Sequence, residues 1–107
     1  MKTITVVFAA GCICGGVLAA LASERAIHQK GKAFSESAVT LKKGDGLVFI
    51  NDDDAVHNIM SMTSGSEFNL GAVQPGSKVT QVFSKSGDLS VICAIHPRLK
   101  LAVTVVD

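Results

Sequence analysis

A chain of 107 residues has room for one folded domain and little else. Its ten Lys and Arg stand against nine Asp and Glu. Lys2 lies in the N-terminal apolar segment, so the remainder of the chain is near neutral. With no Trp, no Tyr and no basic stripe, nothing supports nucleic-acid binding.

Met1-Lys2-Thr3 is a short basic start, and Ile4 to Ala22 is an uncharged apolar run ending in small residues. Ala20-Leu21-Ala22 fits a small-x-small cleavage site, and the polar Ser23-Glu24-Arg25 follows at once. This layout predicts a secretory signal peptide over residues 1–22, and with it a periplasmic or otherwise exported protein. A retained membrane anchor is the alternative, because the run is about long enough to span a bilayer. Lipidation of Cys12 fits less well, since Ala9-Ala10-Gly11 lacks the large aliphatic residue such sites place first. A pairing of Cys12 with Cys14, as disulfide or metal ligands, fits least, because both lie inside the apolar segment.

Residues 23–107 form the predicted domain. Arg25 to Phe34 reads as a first, edge-like strand. Ala38-Val39-Thr40-Leu41 alternates, and Lys42-Lys43-Gly44-Asp45-Gly46 turns the chain. Leu47-Val48-Phe49-Ile50 is a short apolar run of strand formers that fits a fully buried strand, and Asn51 to Asp54 breaks it. Alternation resumes over His57 to Met62. Glu67 to Leu70 can pair briefly, Pro75-Gly76 turns, and Val79 to Phe83 is a further strand. Leu89, Val91 and Cys93 share one strand face, as do Leu101, Val103 and Val105. No segment sustains helical periodicity over ten residues. Short strands at regular spacing, divided by Gly, Pro, Asp and Ser turns, predict an all-β antiparallel sandwich or barrel of about seven or eight strands.

The chemistry gathers at Cys93-Ala94-Ile95-His96-Pro97-Arg98-Leu99. Cleavage after Ala22 leaves Cys93 as the sole cysteine, so no intramolecular disulfide is possible and the thiol is inert core, a reactive group or a ligand. His96 follows three residues later on a loop restricted by Pro97. His57 opens a different strand, and a sandwich brings such strand ends together at one pole. One thiolate and two imidazoles are the ligand set of a mononuclear blue-copper site. Zinc accepts the same atoms but demands a fourth ligand in a tetrahedron, and none is obvious nearby. His28 reads as a surface residue.

These residues resemble the cupredoxins, most closely the amicyanin and plastocyanin-like group. The resemblance runs from about Val39 to Val106. It rests on Val48-Phe49-Ile50-Asn51, Asp53, Val56-His57-Asn58, Pro75-Gly76, Gly87 and Cys93-Ala94-Ile95-His96-Pro97. It implies a Greek-key β-sandwich holding one copper ion on His57, Cys93 and His96. It also implies that Asn58 tethers the two ligand loops near the sulfur, and that the protein carries single electrons between redox partners as a monomer.

One position departs from the pattern. Where amicyanin-like sequences carry an axial methionine, this chain has Leu99, which cannot coordinate. The site is then three-coordinate or takes an axial group from elsewhere. Met60 and Met62 are the thioethers available and Glu67 is the nearest carboxylate, although alternation puts Met60 on the face of Asn58 and not of His57. Both methionines also serve as adaptable core filler. Asp52-Asp53-Asp54 reads as a solvated loop in preference to a calcium site, since hard cations need six or more oxygens. Arg98 and Lys100 flank the ligand loop as surface charge, or as a bias toward acidic partners.

Three functions compete: an electron carrier, a copper-binding protein for storage, delivery or tolerance, and a thiol enzyme with Cys93 as nucleophile and His96 as base. The inward face of Cys93 argues against the third, because a nucleophile must be exposed beside an oriented base.

Overall fold

The computed structural model describes residues 22–96 and 98–107. The expectations for residues 1–21, including the signal segment, Cys12 and Cys14, lie outside the described residues, as does Pro97. Nine strands are found among the described residues: β1 (Glu24–Lys30), β2 (Ala33–Phe34), β3 (Ala38–Lys42), β4 (Gly46–Asn51), β5 (His57–Ser61), β6 (Phe68–Val73), β7 (Lys78–Val82), β8 (Gly87–Ile92) and β9 (Lys100–Val106). They form two sheets, one in the order β3-β9-β8-β5-β6 and the other in the order β2-β1-β4-β7. The all-β sandwich expected from the sequence is therefore present, with one more strand than the upper estimate because β2 is a two-residue strand.

Two details differ from expectation. The sheets are mixed: β1 runs parallel to β4 and β3 runs parallel to β9, and the remaining pairs are antiparallel. Parallel neighbours need a crossover, and here the chain leaves one sheet for the other between the members of each pair. In addition, β1 is not an edge. Its residues pair with β4 on one side, and Gln29 and Lys30 pair with Phe34 and Ala33 on the other.

The core follows from period-two alternation. Leu89 and Val91 on β8 face inward, as do Leu101, Val103 and Val105 on β9, and the register sets Leu101 against Val91 and Val103 against Leu89. From the opposite sheet come Ile27, Leu47 and Phe49, each fully buried. Phe49 also packs against Phe34 with ring centroids 6.0 Å apart. Val48 and Ile50 are only half-buried. The apolar run over β4 thus reflects one inward face and one face partly shielded by neighbouring strands.

The turn at Pro75-Gly76 shows why the residue types are needed. Ser77 N donates to Gln74 O across the turn, and Gly76 has φ of 81°. Proline before glycine at positive φ is the type II arrangement, in which a side chain at the second position would be strained. Gly76 N also donates to Asn51 O, and Asn51 N to Ser77 O, so this turn closes over the end of β4.

The ends of β1, β4 and β8 and the start of β5 meet at one pole of the sandwich. Stability should depend strongly on the core just beneath it. Phe49→Ala should lower the unfolding free energy by about 3–5 kcal/mol in urea titrations, the usual range for a buried Phe. A loss under about 1 kcal/mol would show that Phe49 is not a core residue.

Candidate metal centre

Cys93 is the first residue after β8 and continues its inward alternation, leaving 1% of its surface exposed. The loop it opens closes on itself. Cys93 N donates to Leu99 O at 3.2 Å, and Leu99 N donates to His96 O at 2.9 Å. Those two bonds fix where the loop holds His96, which is half-buried at the rim.

His57 is fully buried at the start of β5. Its Nε2 lies 2.7 Å from Asp53 Oδ2, four residues earlier in the β4–β5 loop. The same carboxylate accepts from Gly31 N at 2.6 Å and Lys32 N at 2.9 Å, in the turn between β1 and β2. Burial pushes the Asp53 carboxyl up, but the His57 hydrogen bond and the two backbone donors outweigh it and lower its pKa to about 2. An ionised carboxylate can only accept, so Nε2 of His57 carries the proton and Nδ1 keeps its lone pair for the interior.

Asn58 connects the two ligand segments. Its backbone N donates to Cys93 Sγ at 3.2 Å, and its side-chain Oδ1 accepts from Ala94 N at 3.2 Å. Its Nδ2 donates to Asn69 Oδ1 and Gly71 O on β6, at 3.0 and 3.1 Å. Asn51 does the same for the loop bearing Asp53. Its Nδ2 donates to Ala55 O and Val73 O, and its Oδ1 accepts from Asp53 N.

The result is a convergence of three ligand atoms. His57 Nδ1 and His96 Nδ1 are 3.0 Å apart, Cys93 Sγ is 4.0 Å from His57 Nδ1, and the whole set lies within 4.8 Å. Bonds of about 2.0–2.3 Å to a central ion in a trigonal plane would separate the ligand atoms by about 3.5–3.8 Å. The trio brackets that spacing. A soft sulfur and two imidazoles converging at this spacing suit copper. His57, Cys93 and His96 therefore lie close enough to bind one copper ion. They are the one such cluster of His, Cys, Asp and Glu found among the described residues.

The other singled-out residues fall elsewhere. Leu99 is fully buried. A β-bulge between Asn58 and Met60 disturbs the alternation of β5, and Met60 pairs with Ile92 on the outer side of the sheet. There Met60 lines a surface groove with Met62, Ile92, Cys93, Ala94 and Lys100. Glu67 is exposed in the loop before β6. Met60 thus borders Cys93 from this groove, and Glu67 is not among the groove's lining residues. His28 is exposed, as expected, and pairs with Asp52.

The expectation of a solvated loop over Asp52-Asp53-Asp54 needs correction at Asp53, whose side chain is 11% exposed and whose oxygens are taken up by His57 and two backbone amides. Asp53 was thus missed as the residue that orients His57. The Asp-x-x-x-His spacing was its only signal, and in a loop that spacing has no fixed geometry.

No family model and no curated protein sequence matches the chain. Solved structures do. A purple cupredoxin from Nitrosopumilus maritimus aligns at 25% identity over 75% of this chain and 97% of its own, with a TM-score of 0.66. The reduced form of a tryptophan-to-tyrosine variant of amicyanin aligns at 16% identity over 78% of this chain and 82% of its own, with a TM-score of 0.71. A copper-containing nitrite reductase from Thermus scotoductus SA-01 aligns at 21% identity over 81% of this chain, with a TM-score of 0.70. This chain spans only 23% of that enzyme. The described domain therefore has the fold of these cupredoxins, and its His–Cys–His cluster fits a blue copper site.

Proposed function

We propose that this protein is a small exported electron carrier that holds one copper ion on His57, Cys93 and His96. The observation that carries this reading is the convergence of their three ligand atoms within 4.8 Å, with His57 and the Cys93 segment held by hydrogen bonds. Copper, when bound, supplies a one-electron couple that no side chain provides. The chain's own residues do the rest. Asp53 holds the tautomer and ring orientation of His57. Asn58 N–H donates to the Cys93 sulfur and tempers its electron density. Asn58 Oδ1 keeps the Cys93 loop beside β5. A site restrained on all sides changes shape little between charge states, which favours electron transfer over ligand exchange.

The surface around the loop supports a role for protein partners. Ile95 is 53% exposed beside the half-buried His96, and the exposed Arg98 and Lys100 flank it. This apolar tip with a basic border suits transient docking of a redox protein with an acidic rim. Export is supported by the basic start, the apolar run and Ala20-Leu21-Ala22, and the protein acts as a monomer, not an enzyme.

Copper storage, delivery or tolerance is the second reading. It is favoured by Met60 and Met62, two soft thioethers lining a groove next to the ligand loop. Fast reversible one-electron transfer with tightly held copper supports the carrier. Ready loss of copper to a chelator supports the second.

Cu(II) added to the purified domain should give an intense thiolate-to-copper band, absent in Cys93→Ser. Zinc uptake without such a band would overturn the copper reading. Asp53→Ala should weaken copper affinity about 10–100-fold in competition titrations, as loss of a partner to a ligating His generally does. Leu99→Met should lower the reduction potential, because a thioether at that position adds an axial donor. Equal potentials for the two proteins would show that the Leu99 side chain does not face the metal.

A further inference from the structure

Gln29 stands apart from every other buried polar side chain. It is fully buried on β1, and neither its Nε2 nor its Oε1 has a hydrogen-bond partner. Among the described residues no other buried side-chain polar atom is left in that state. Asn51, His57, Asn58 and Ser61, which share its burial, are all bonded. A carboxamide carries two donor hydrogens and an acceptor oxygen, and natural cores rarely bury one unpaired unless something else occupies its reach.

Its place in the fold narrows what that something is. Gln29 lies opposite Asn51 in the β1–β4 register, and its backbone O accepts from Asp52 N. Asn51 in turn bonds Val73 O, and Val73 lies opposite His57. Two residues beyond Gln29, the amides of Gly31 and Lys32 hold the carboxylate that holds His57. Gln29 is therefore at the metal pole, and alternation with the inward Ile27 turns its side chain between the sheets. Leu99, which occupies the usual axial position, offers only hydrocarbon there.

We propose that Gln29 supplies the missing axial donor, its carboxamide oxygen facing the copper from the opposite sheet. This inference rests on the copper reading above. An amide oxygen is an accepted weak axial donor in His2Cys copper sites. As a hard oxygen dipole it favours the more highly charged Cu(II), and so holds the reduction potential down. The burial of an unpartnered carboxamide oxygen then has a cause: its partner is the ion and not another residue.

The test uses the copper-loaded protein and its Gln29→Leu variant, compared by visible and EPR spectra and by redox titration, with thermal unfolding of both metal-free proteins alongside. The spectrum should change and the potential should rise in the variant, while the metal-free variant remains at least as stable as wild type because an unpaired polar group has been removed. Gln29→Met preserves the unbranched shape. It should also move spectrum and potential, and it carries the test if the leucine variant does not fold. An unchanged spectrum and potential in whichever variants fold, with only metal-free stability altered, would make Gln29 a packing residue and overturn the proposal. Absence of a thiolate–copper band in the wild type would overturn the copper reading itself, a result separate from any difference among the variants.

Discussion

The backbone N–H of Asn58 donates to Cys93 Sγ, and this bond joins the two halves of the site across 35 residues of sequence. Its side chain adds the bond from Ala94 N and the pair to β6, so one residue pins the start of β5, the loop after β8 and an edge strand together. Each such bond contributes about 1 kcal/mol net. Leaving any of these buried groups unpaired would cost about 1–3 kcal/mol, so the net is favoured as much by what breaking it costs as by what it gains. It adds to the anchoring that the loop carrying His96 receives from its own two backbone bonds and from the pairing of β8 with β9.

Asp53 adds a second constraint of a different kind. A buried carboxylate is normally unfavourable, and burial alone would push it toward its neutral form. Three donors reverse that balance, one from His57 and two from the β1–β2 turn. The ionised group then fixes which nitrogen of His57 is protonated. The β1–β2 turn thus reaches His57 through the Asp53 side chain, although it contains none of the three ligand residues. The loop bearing Asp53 is held from below by Asn51, so the orientation of His57 is set by residues from β1 through β6.

Much of this was legible in the sequence, and the reasons for the rest are physical. Period-two alternation turned Cys93 inward and placed Leu101, Val103 and Val105 on one face, because these positions depend only on local strand geometry. Cys93 and His96 could be matched to a ligand loop because their spacing is short. Pairings of β1 with β4 and β3 with β9 join strands through crossovers, and no local pattern reports them. The role of Asn58 was available only through family resemblance, as its partners lie 11, 13, 35 and 36 residues away. Asp53 stood in an acidic run whose ordinary meaning is solvent exposure, and only the return of the β1–β2 turn over it reverses that meaning. Met60 shows the reverse difficulty. A thioether near a ligand invites an axial role, yet the bulge after Asn58 leaves it beside Ile92 on the outer side.

The metal pole is best understood as a polar island at the end of an apolar sandwich. Nearly every polar atom in it is paired, which is the condition for burying such groups at all. Leu99 belongs to that island's ligand loop as a fully buried hydrocarbon and gives nothing to coordinate. A fully dry wall on both sides would leave no reason for a carboxamide to be buried on β1, where leucine or isoleucine would pack with no desolvation penalty. The inward turn of Gln29 therefore links the two anomalies of the chain, an axial position without a donor and a buried donor without a partner. Each is unfavourable or unexplained alone, and a single ion between the sheets would fill the axial position and pair the carboxamide oxygen.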